Sequence, residues 1–290
     1  MTFKLEKLFV DVFAPQNGDI VTIMYDLPHG EIRDLLAWQD RRKMANEWHR
    51  QIAGFSQIYG IHVNPIVTYS ATGAPHAEMP KYGICEGAKV QLESVSRDST
   101  IIISMPQYSA TSPLMGLAKK YGYLRIASMP EVARSMEETG LSANIKEIAE
   151  TCTRLASLFE RSNAVEVTFS TRHTCHFDIS DHKPVYREDG ILHPGTRKGT
   201  PQLANLPAGE VCTCPNETET SQTAGEIPTV IGGETIVMIV ENNQIIDVKG
   251  EGPIAEEKRQ EFHQEAALRN IAEVAIGCND RAVVTGNTLE

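Results

Sequence analysis

The sequence predicts an α/β domain with a mostly parallel sheet, followed by an α+β domain built on a small curved sheet or barrel. Two patterns indicate this: continuous apolar strands separated by helices in the first half, and shorter, alternating strands after Ser162. The 290 residues are 41% hydrophobic and 22% charged, which is typical of a globular protein long enough for two domains. We therefore expect domains at residues 1–162 and 163–290.

The first domain is predicted from four apolar runs that alternate with helical stretches. The runs cover residues 20–25, 62–69, 100–105 and 124–129. Helices are expected over about 31–58, with apolar residues spaced along a charged segment, and over about 145–160, which closes the domain. Strands that are apolar throughout are typical of a parallel sheet covered on both faces.

The second domain is predicted from shorter signals. Residues 165–170 alternate in polarity, as a half-exposed strand does, and 241–244 (Glu-Asn-Asn-Gln) form a hairpin signal. Further short strands are expected at 176–179, 211–213, 235–241 and 244–249, and a helix from about 254 to 274. Residues 281–290 look like a strand, a turn and the start of another element, so we expect a chain truncated at its C-terminal end.

Charge and composition exclude several classes of function. The net charge of −11 disfavours binding to nucleic acid, and no apolar run approaches the roughly 18 residues of a membrane span. The first residues lack a cleavable apolar segment, so a cytoplasmic protein with free cysteines is expected. Cys212 and Cys214 lie two residues apart on a strand and are expected to share a core face, because no second pair completes a zinc site.

Two glutamates are the first candidates for chemistry. Glu210 follows Pro207 and Gly209, which predict a turn that enters a short strand. Glu273 lies in the apolar run 271–277 and is expected to be buried, where an unpaired carboxylate costs several kcal/mol. A bound metal ion is one partner for such a pair. The alternative, which the spacing alone favours, is a glutamate at a turn and another that caps a helix or pairs within it.

A histidine cluster and a polar loop are further candidates. His173, His176 and Asp178 fall in one short segment, which is either a polar strand edge or a loop that converges on an ion or substrate. His173 and His176 are the expected catalytic residues, contacting substrate or moving a proton. Residues 108–114 follow a predicted parallel strand, so their Ser and Thr side chains either line a ligand cleft or cap the next helix.

Five segments of the second half form a recognisable set: 205–211, Thr213 with Pro215, 223–225, 271–277 and 285–287. Together they resemble the M29 family of metallo-aminopeptidases, the aminopeptidase T group. The resemblance implies a cytosolic, dimeric, leucyl aminopeptidase-like enzyme that removes N-terminal residues from small peptides. Divalent Zn, Co or Mg ions would be held by Glu210 as the first glutamate ligand and by Glu273 as the second, bridging one. The family's remaining histidine and aspartate ligands would fall beyond Glu290.

The chain also resembles a related family, the iron-dependent 2,5-dihydroxypyridine 5,6-dioxygenases. In that family the position of Glu273 is a histidine ligand of Fe(II) and that of Glu210 is not acidic, so both glutamates favour the peptidase type. His173 and His176 instead fall where the dioxygenases carry functional histidines. The alternatives to the hydrolase are therefore a ring-cleaving dioxygenase that acts on a small molecule, or a catalytically impaired relative.

Overall fold

The structure is a computed structural model, which describes residues 3–196, 200–287 and 289. It divides into two compact units. The first unit comprises Met1–Glu150, Glu188–Gly209 and Asn279–Glu290, and the second comprises Thr151–Arg187 and Glu210–Cys278. The chain is therefore α/β in its first unit and rich in antiparallel strands in its second.

The first unit is built on one mixed sheet, in the strand order β11-β7-β6-β1-β3-β4-β5, with β2 beside β1. Strands β11, β7, β6, β1 and β3 run parallel, and β3, β4 and β5 continue as an antiparallel edge. Four consecutive isoleucine and serine positions in β6 are buried, as the apolar run predicts. The strands are β1 (Ile20–Leu27), β2 (His62–Val63), β3 (Val67–Ser70), β4 (Tyr82–Cys85), β5 (Ala88–Gln91), β6 (Ile101–Ser104), β7 (Arg125–Ser128) and β11 (Gln202–Asn205).

Helices pack beside this sheet through apolar faces. The longest, α2, begins at Leu36 rather than near residue 31, and it buries Trp38, Trp48 and Ile52. It ends at Tyr59, because Gly60 takes the left-handed conformation that terminates helices (φ 65°). The helices are α1 (Leu5–Phe13), α2 (Leu36–Tyr59), α3 (Leu92–Arg97), α4 (Thr111–Lys120) and α5 (Ile145–Phe159).

One strand of this sheet comes from far along the chain. The sequence predicts residues 202–205 to lie in the second domain, whereas β11 pairs in parallel with β7, from Gln202 opposite Arg125 to Asn205 opposite Ser128. Its first three residues are buried. A run of four residues carries too little periodicity to show which sheet it joins, so its position depends on tertiary pairing.

The second unit contains two antiparallel sheets, ordered β15-β14-β13-β9-β8 and β10-β12-β16. Within the described residues these sheets remain separate, so the predicted barrel is not closed. The β14–β15 hairpin is confirmed: Asn242 and Asn243 have φ of 48° and 62°, as a tight hairpin turn requires. The strands are β8 (Ala164–Thr168), β9 (Thr174–Asp178), β10 (Tyr186–Glu188), β12 (Glu210–Thr213), β13 (Ala224–Ile231), β14 (Glu234–Glu241), β15 (Gln244–Lys249) and β16 (Val274–Gly277).

The last predicted helix is much shorter than expected. Helix α6 covers Pro253–Gln264, a 3-10 turn covers Ala266–Arg269, and the chain then enters strand β16. The prediction of helix through residue 274 is wrong, because a short apolar run does not distinguish a strand from a helix. In the described part of the chain, no helix combines the length and apolarity needed to cross a membrane.

Candidate metal centre

The pairing of β12 with β16 brings three potential metal ligands of the second unit together. In this antiparallel pair Glu210 lies opposite Gly277 and Cys212 opposite Ala275. Because side chains alternate along a strand, Glu210 and Cys212 share one face. Glu273 directly precedes β16, and continuing the same register places it on that face too. Strand pairing thus brings Glu210 and Cys212 close to Glu273, although both lie far from it in the sequence.

The turn before Glu210 is fixed by close packing within the first unit. Gly209 has a φ of 126°, and a Cβ at this position would lie 2.7 Å from the Cβ of Asn279. The side-chain amide of Asn279 donates hydrogen bonds to the carbonyl oxygens of Ala208 (2.8 Å) and Gly140 (3.0 Å). Only glycine satisfies both the backbone conformation and the close approach. The predicted turn therefore exists, and it determines where β12 begins.

The three ligand atoms lie within 4.8 Å of one another. Glu210 is half-buried, Cys212 is buried, and Glu273 is exposed. The expectation that Glu273 is buried is wrong, because Ala272 and Ala275 around it are also exposed. The site is therefore open to solvent on the side of Glu273 and closed on the side of Cys212.

The electrostatics of Glu210 favour a bound cation. Burial raises the pKa of its carboxyl group above the ordinary 4.5, and the nearby carboxylate of Glu273 raises it further. Both effects disfavour the ionised form, and a positive ion between the two carboxylates would relieve both. A raised pKa from two independent causes is typical of functional carboxylates, although structural sites also show it.

Two further thiols, those of Cys152 and Cys278, lie near Glu210. The Sγ atom of Cys152 lies 3.7 Å from the backbone carbonyl oxygen of Glu210. Burial raises the pKa of Cys278; a hydrogen bond with Cys152 opposes this shift, and the charge of Glu210 adds to it. Sequence reasoning assigned Cys212 to an apolar core and so missed it as a member of the cluster. Its spacing of two residues from Glu210 on a strand was the available signal.

The two histidines lie in the other sheet of the second unit. His173 precedes β9, with Nδ1 2.8 Å from the Thr171 hydroxyl and Nε2 3.8 Å from a carboxylate oxygen of Glu226. His176 lies within β9, opposite Glu166 of β8. In the described residues, the group of clustered metal-binding side chains contains neither histidine. Their catalytic role stays a prediction.

Asp178 has a structural environment. It is buried at the end of β9, and its Oδ1 accepts the backbone N–H of Ser180 at 2.9 Å. Its Oδ2 accepts the backbone N–H of Gln222 (3.0 Å) and the side-chain amide of Asn216 (3.2 Å). Asp178 therefore ties the loop that follows β9 to the loop between β12 and β13, and we assign it no ligand role.

The polar loop after β6 does begin a helix, as one of the two alternatives requires. Helix α4 starts at Thr111 without a side-chain hydrogen bond from its N-cap residue, Ala110. Instead, the Thr111 hydroxyl lies 2.8 Å from that of Ser128 and 3.1 Å from that of Ser109. The Thr111 hydroxyl thus connects the start of α4 to the end of β7, while the Ser109 hydroxyl accepts the Thr111 backbone N–H at 3.5 Å.

Comparisons with known proteins support a fold, not a family. No protein-family model matches the sequence, and no curated protein matches it significantly. The M29 resemblance therefore rests on its motifs alone. Among solved structures, 2,5-dihydroxypyridine dioxygenase from Pseudomonas putida KT2440 is similar over 96% of this chain and 77% of its own, with a TM-score of 0.64 and 15% identity. The chain thus shares the fold of this dioxygenase, which agrees with the second resemblance better than with the first.

Proposed function

We propose that this protein is a metal-dependent oxygenase that acts on a small dihydroxylated aromatic ring. The single observation that carries the proposal is a cluster of three metal-binding side chains in a chain with the fold of a dioxygenase. The substrate class comes from the neighbour, which acts on 2,5-dihydroxypyridine by its name. A shared fold alone does not determine chemistry, so the cluster must be tested directly.

The donor set of the cluster fits a transition metal. Glu210 and Glu273 offer carboxylate oxygens, and Cys212 offers a soft thiolate. Thiolates select iron, zinc or copper over magnesium, while carboxylates suit hard and borderline ions. Of the ions expected from the sequence, Fe(II) and Zn fit this set better than Mg. We therefore favour Fe(II), the ion of the dioxygenase alternative.

The residues of the site have distinct roles in this proposal. Glu210 and Glu273 would supply two of the negative charges around a divalent ion, and the Cys212 thiolate would hold the ion on the buried side. A bound Fe(II) ion would supply the activation of dioxygen and the binding of the ring hydroxyls. The exposed side at Glu273 admits a small substrate. His173 and His176 stay proposed proton-transfer residues, to be tested by His173→Ala and His176→Ala.

A direct activity test distinguishes this proposal from the hydrolase. The protein is loaded anaerobically with Fe(II), and oxygen uptake is measured with 2,5-dihydroxypyridine and with catechol. In parallel, Zn- and Co-loaded protein is assayed for release of p-nitroaniline from leucine p-nitroanilide. We expect oxygen uptake that depends on iron and on the ring. Amide hydrolysis without oxygen uptake would refute the oxygenase and support the peptidase that the two glutamates also favour.

A binding test examines the site independently of turnover. Metal content is measured by elemental analysis after loading and desalting, in wild type and in Glu210→Gln, Cys212→Ser and Glu273→Ala. Each change removes one of three ligands, so we expect metal affinity to fall at least tenfold. Glu219→Gln, an exposed glutamate of the same unit, is the matched control and should retain metal. Stoichiometric metal in all three variants would show that the cluster is not the site.

A further inference from the structure

A second candidate site lies in the first unit, at the carboxyl ends of its parallel strands. A cavity of about 340 Å³ is lined by residues that follow four different strands. His76 follows β3, Gln107 and Thr111 follow β6, Glu131 follows β7, and Asn205 ends β11. Ligands of open α/β sheets bind outside the carboxyl ends of the strands. The cavity therefore has both the size and the place of a small-molecule site.

The loop that contains Gln107 and Tyr108 forms one wall of the cavity and is held by two buried charged residues, Asp26 and Arg41. The two carboxylate oxygens of Asp26 accept the backbone N–H groups of Gln107 (2.7 Å) and Tyr108 (3.1 Å). The guanidinium of Arg41 donates to the side-chain oxygen of Gln107 (2.9 Å) and to the carbonyl oxygen of Val132 (2.8 Å). Asp26 and Arg41 are both buried. This support fixes the Gln107 side chain with its amide nitrogen towards Glu131.

The cavity carries an excess of negative charge. The Gln107 amide donates to one carboxylate oxygen of Glu131 at 2.5 Å, which leaves the second oxygen available. Arg41 interacts electrostatically with the carboxylates of Glu131 and Asp26 and with the neighbouring cation Arg42. Among the residues of the described ranges that line the cavity, Glu131 is negatively charged and none is a Lys or Arg. A positively charged ligand group would balance the remaining charge.

The opposite wall offers neutral hydrogen-bonding groups. The Thr111 hydroxyl lies 3.1 Å from that of Ser109 and 3.4 Å from the side-chain oxygen of Asn205. Ser109, Thr111 and Asn205 are half-buried at the cavity wall. Hydroxyl groups both donate and accept, so this wall suits a ligand that carries hydroxyls.

We propose that this cavity binds a small hydroxylated amine, with the ammonium group on Glu131 and the hydroxyls on Ser109, Thr111 and Asn205. The inference does not depend on the proposed oxygenase, because every residue involved belongs to the first unit. Glu131 and His76 both have positive φ, at 56° and 61°. Such conformations are unfavourable for these residue types and are found preferentially at ligand-binding sites.

The test uses two probes of nearly equal shape. Binding of 2-amino-1,3-propanediol and of glycerol, which has a hydroxyl in place of the amine, is measured by isothermal titration calorimetry at pH 7. We expect the amine to bind the full chain at least tenfold more tightly than glycerol, because a charge-assisted hydrogen bond contributes about 1.5–3 kcal/mol, which is roughly ten- to hundredfold in affinity. Equal binding of the two probes, or no binding of the amine, would overturn the proposal.

Variants assign the effect to Glu131. Glu131→Gln keeps the acceptor for Gln107 but removes the charge, so amine affinity should fall about tenfold or more while glycerol binding is unchanged. Glu138→Gln, an exposed glutamate in the same unit, is the matched control and should bind as wild type. Circular dichroism verifies that each variant is folded. Unaltered amine binding by folded Glu131→Gln would refute the assignment. Serine, which carries a carboxylate in place of one hydroxymethyl group of the amine probe, is titrated as well. Tighter binding of serine than of 2-amino-1,3-propanediol would also refute it, because a negatively charged cavity should disfavour the carboxylate.

Discussion

Replacing Asp178 with asparagine should destabilise the second unit strongly, because the Asp178 carboxylate accepts three hydrogen bonds. In one orientation the asparagine amide faces the two donors at Oδ2, from Asn216 and Gln222; in the other it faces the Ser180 N–H. At least one bond to a charged acceptor is lost in either case. We expect Asp178→Asn to cost about 2–4 kcal/mol of unfolding free energy.

The Asp178 carboxylate also makes the difference in unfolding free energy between wild type and Asp178→Asn depend on pH. Burial opposes ionisation of Asp178, but hydrogen bonds from Ser180, Gln222 and Asn216 outweigh it and lower its pKa from 3.8 to about 2. A lowered pKa stabilises the fold above the unfolded-state pKa, and this stability is lost as pH falls towards the folded-state value. The difference between the unfolded-state and folded-state pKa of Asp178 corresponds to about 2.5 kcal/mol of unfolding free energy. The advantage of wild type should therefore be constant above pH 5 and shrink between about pH 4 and pH 2.

Urea denaturation of wild type and Asp178→Asn, followed by circular dichroism at pH 7, 5, 4 and 3, measures both quantities. The difference between the two proteins is informative even where other carboxylates destabilise both at low pH. A difference below about 0.5 kcal/mol at pH 7 would contradict the argument from hydrogen bonds. A difference that does not change between pH 5 and pH 3 would contradict the lowered pKa.

Two further outcomes follow from the geometry. Gly209→Ala should lower the unfolding free energy measured by urea denaturation by about 1–3 kcal/mol, because the φ of residue 209 is 126° and the new Cβ would lie 2.7 Å from the Cβ of Asn279. Gly18→Ala is the control for backbone strain alone, since Gly18 has a φ of 91° and no atom within 4 Å of the new Cβ. It should lower the unfolding free energy by less. Burial raises the pKa of Cys175 from 9.0 to about 11, which lowers its thiolate fraction at pH 8 about a hundredfold. Iodoacetamide should therefore modify the half-buried Cys214 well before Cys175. Equal modification of the two cysteines, measured by mass spectrometry, would contradict this.

Much of the fold was predictable from local patterns. The apolar runs around β1, β6 and β7 gave the parallel core, and the Asn242–Asn243 pair gave a hairpin, since both signals act over a few residues. The place of β11 was not predictable, because pairing across more than 70 residues leaves no local mark. Helix α6 was predicted too long for a related reason: residues 271–276 are as apolar as a buried helix, but the chain there enters strand β16 (Val274–Gly277).

The candidate site was half predictable. Glu210 was recognisable from its turn, and Glu273 was recognised with it through a resemblance rather than through spacing. Cys212 was assigned to the core with Cys214; its spacing from Glu210 was readable, but nothing local shows that Glu273 approaches it from the segment before β16. The burial of Glu273 was predicted wrongly, because Glu273 precedes edge strand β16, in a segment where its neighbour Ala272 is exposed as well.

The late position of β11 has a consequence for how the chain folds during synthesis. Until residue 205 has left the ribosome, β7 has no partner on one side, and its N–H and C=O groups are available to other chains. Most of the intervening residues, 151–187, belong to the other unit, so the two units are synthesised in an interleaved order. A fragment that ends near residue 162 would retain this open edge permanently and should aggregate, whereas a fragment extended through residue 209 would close it.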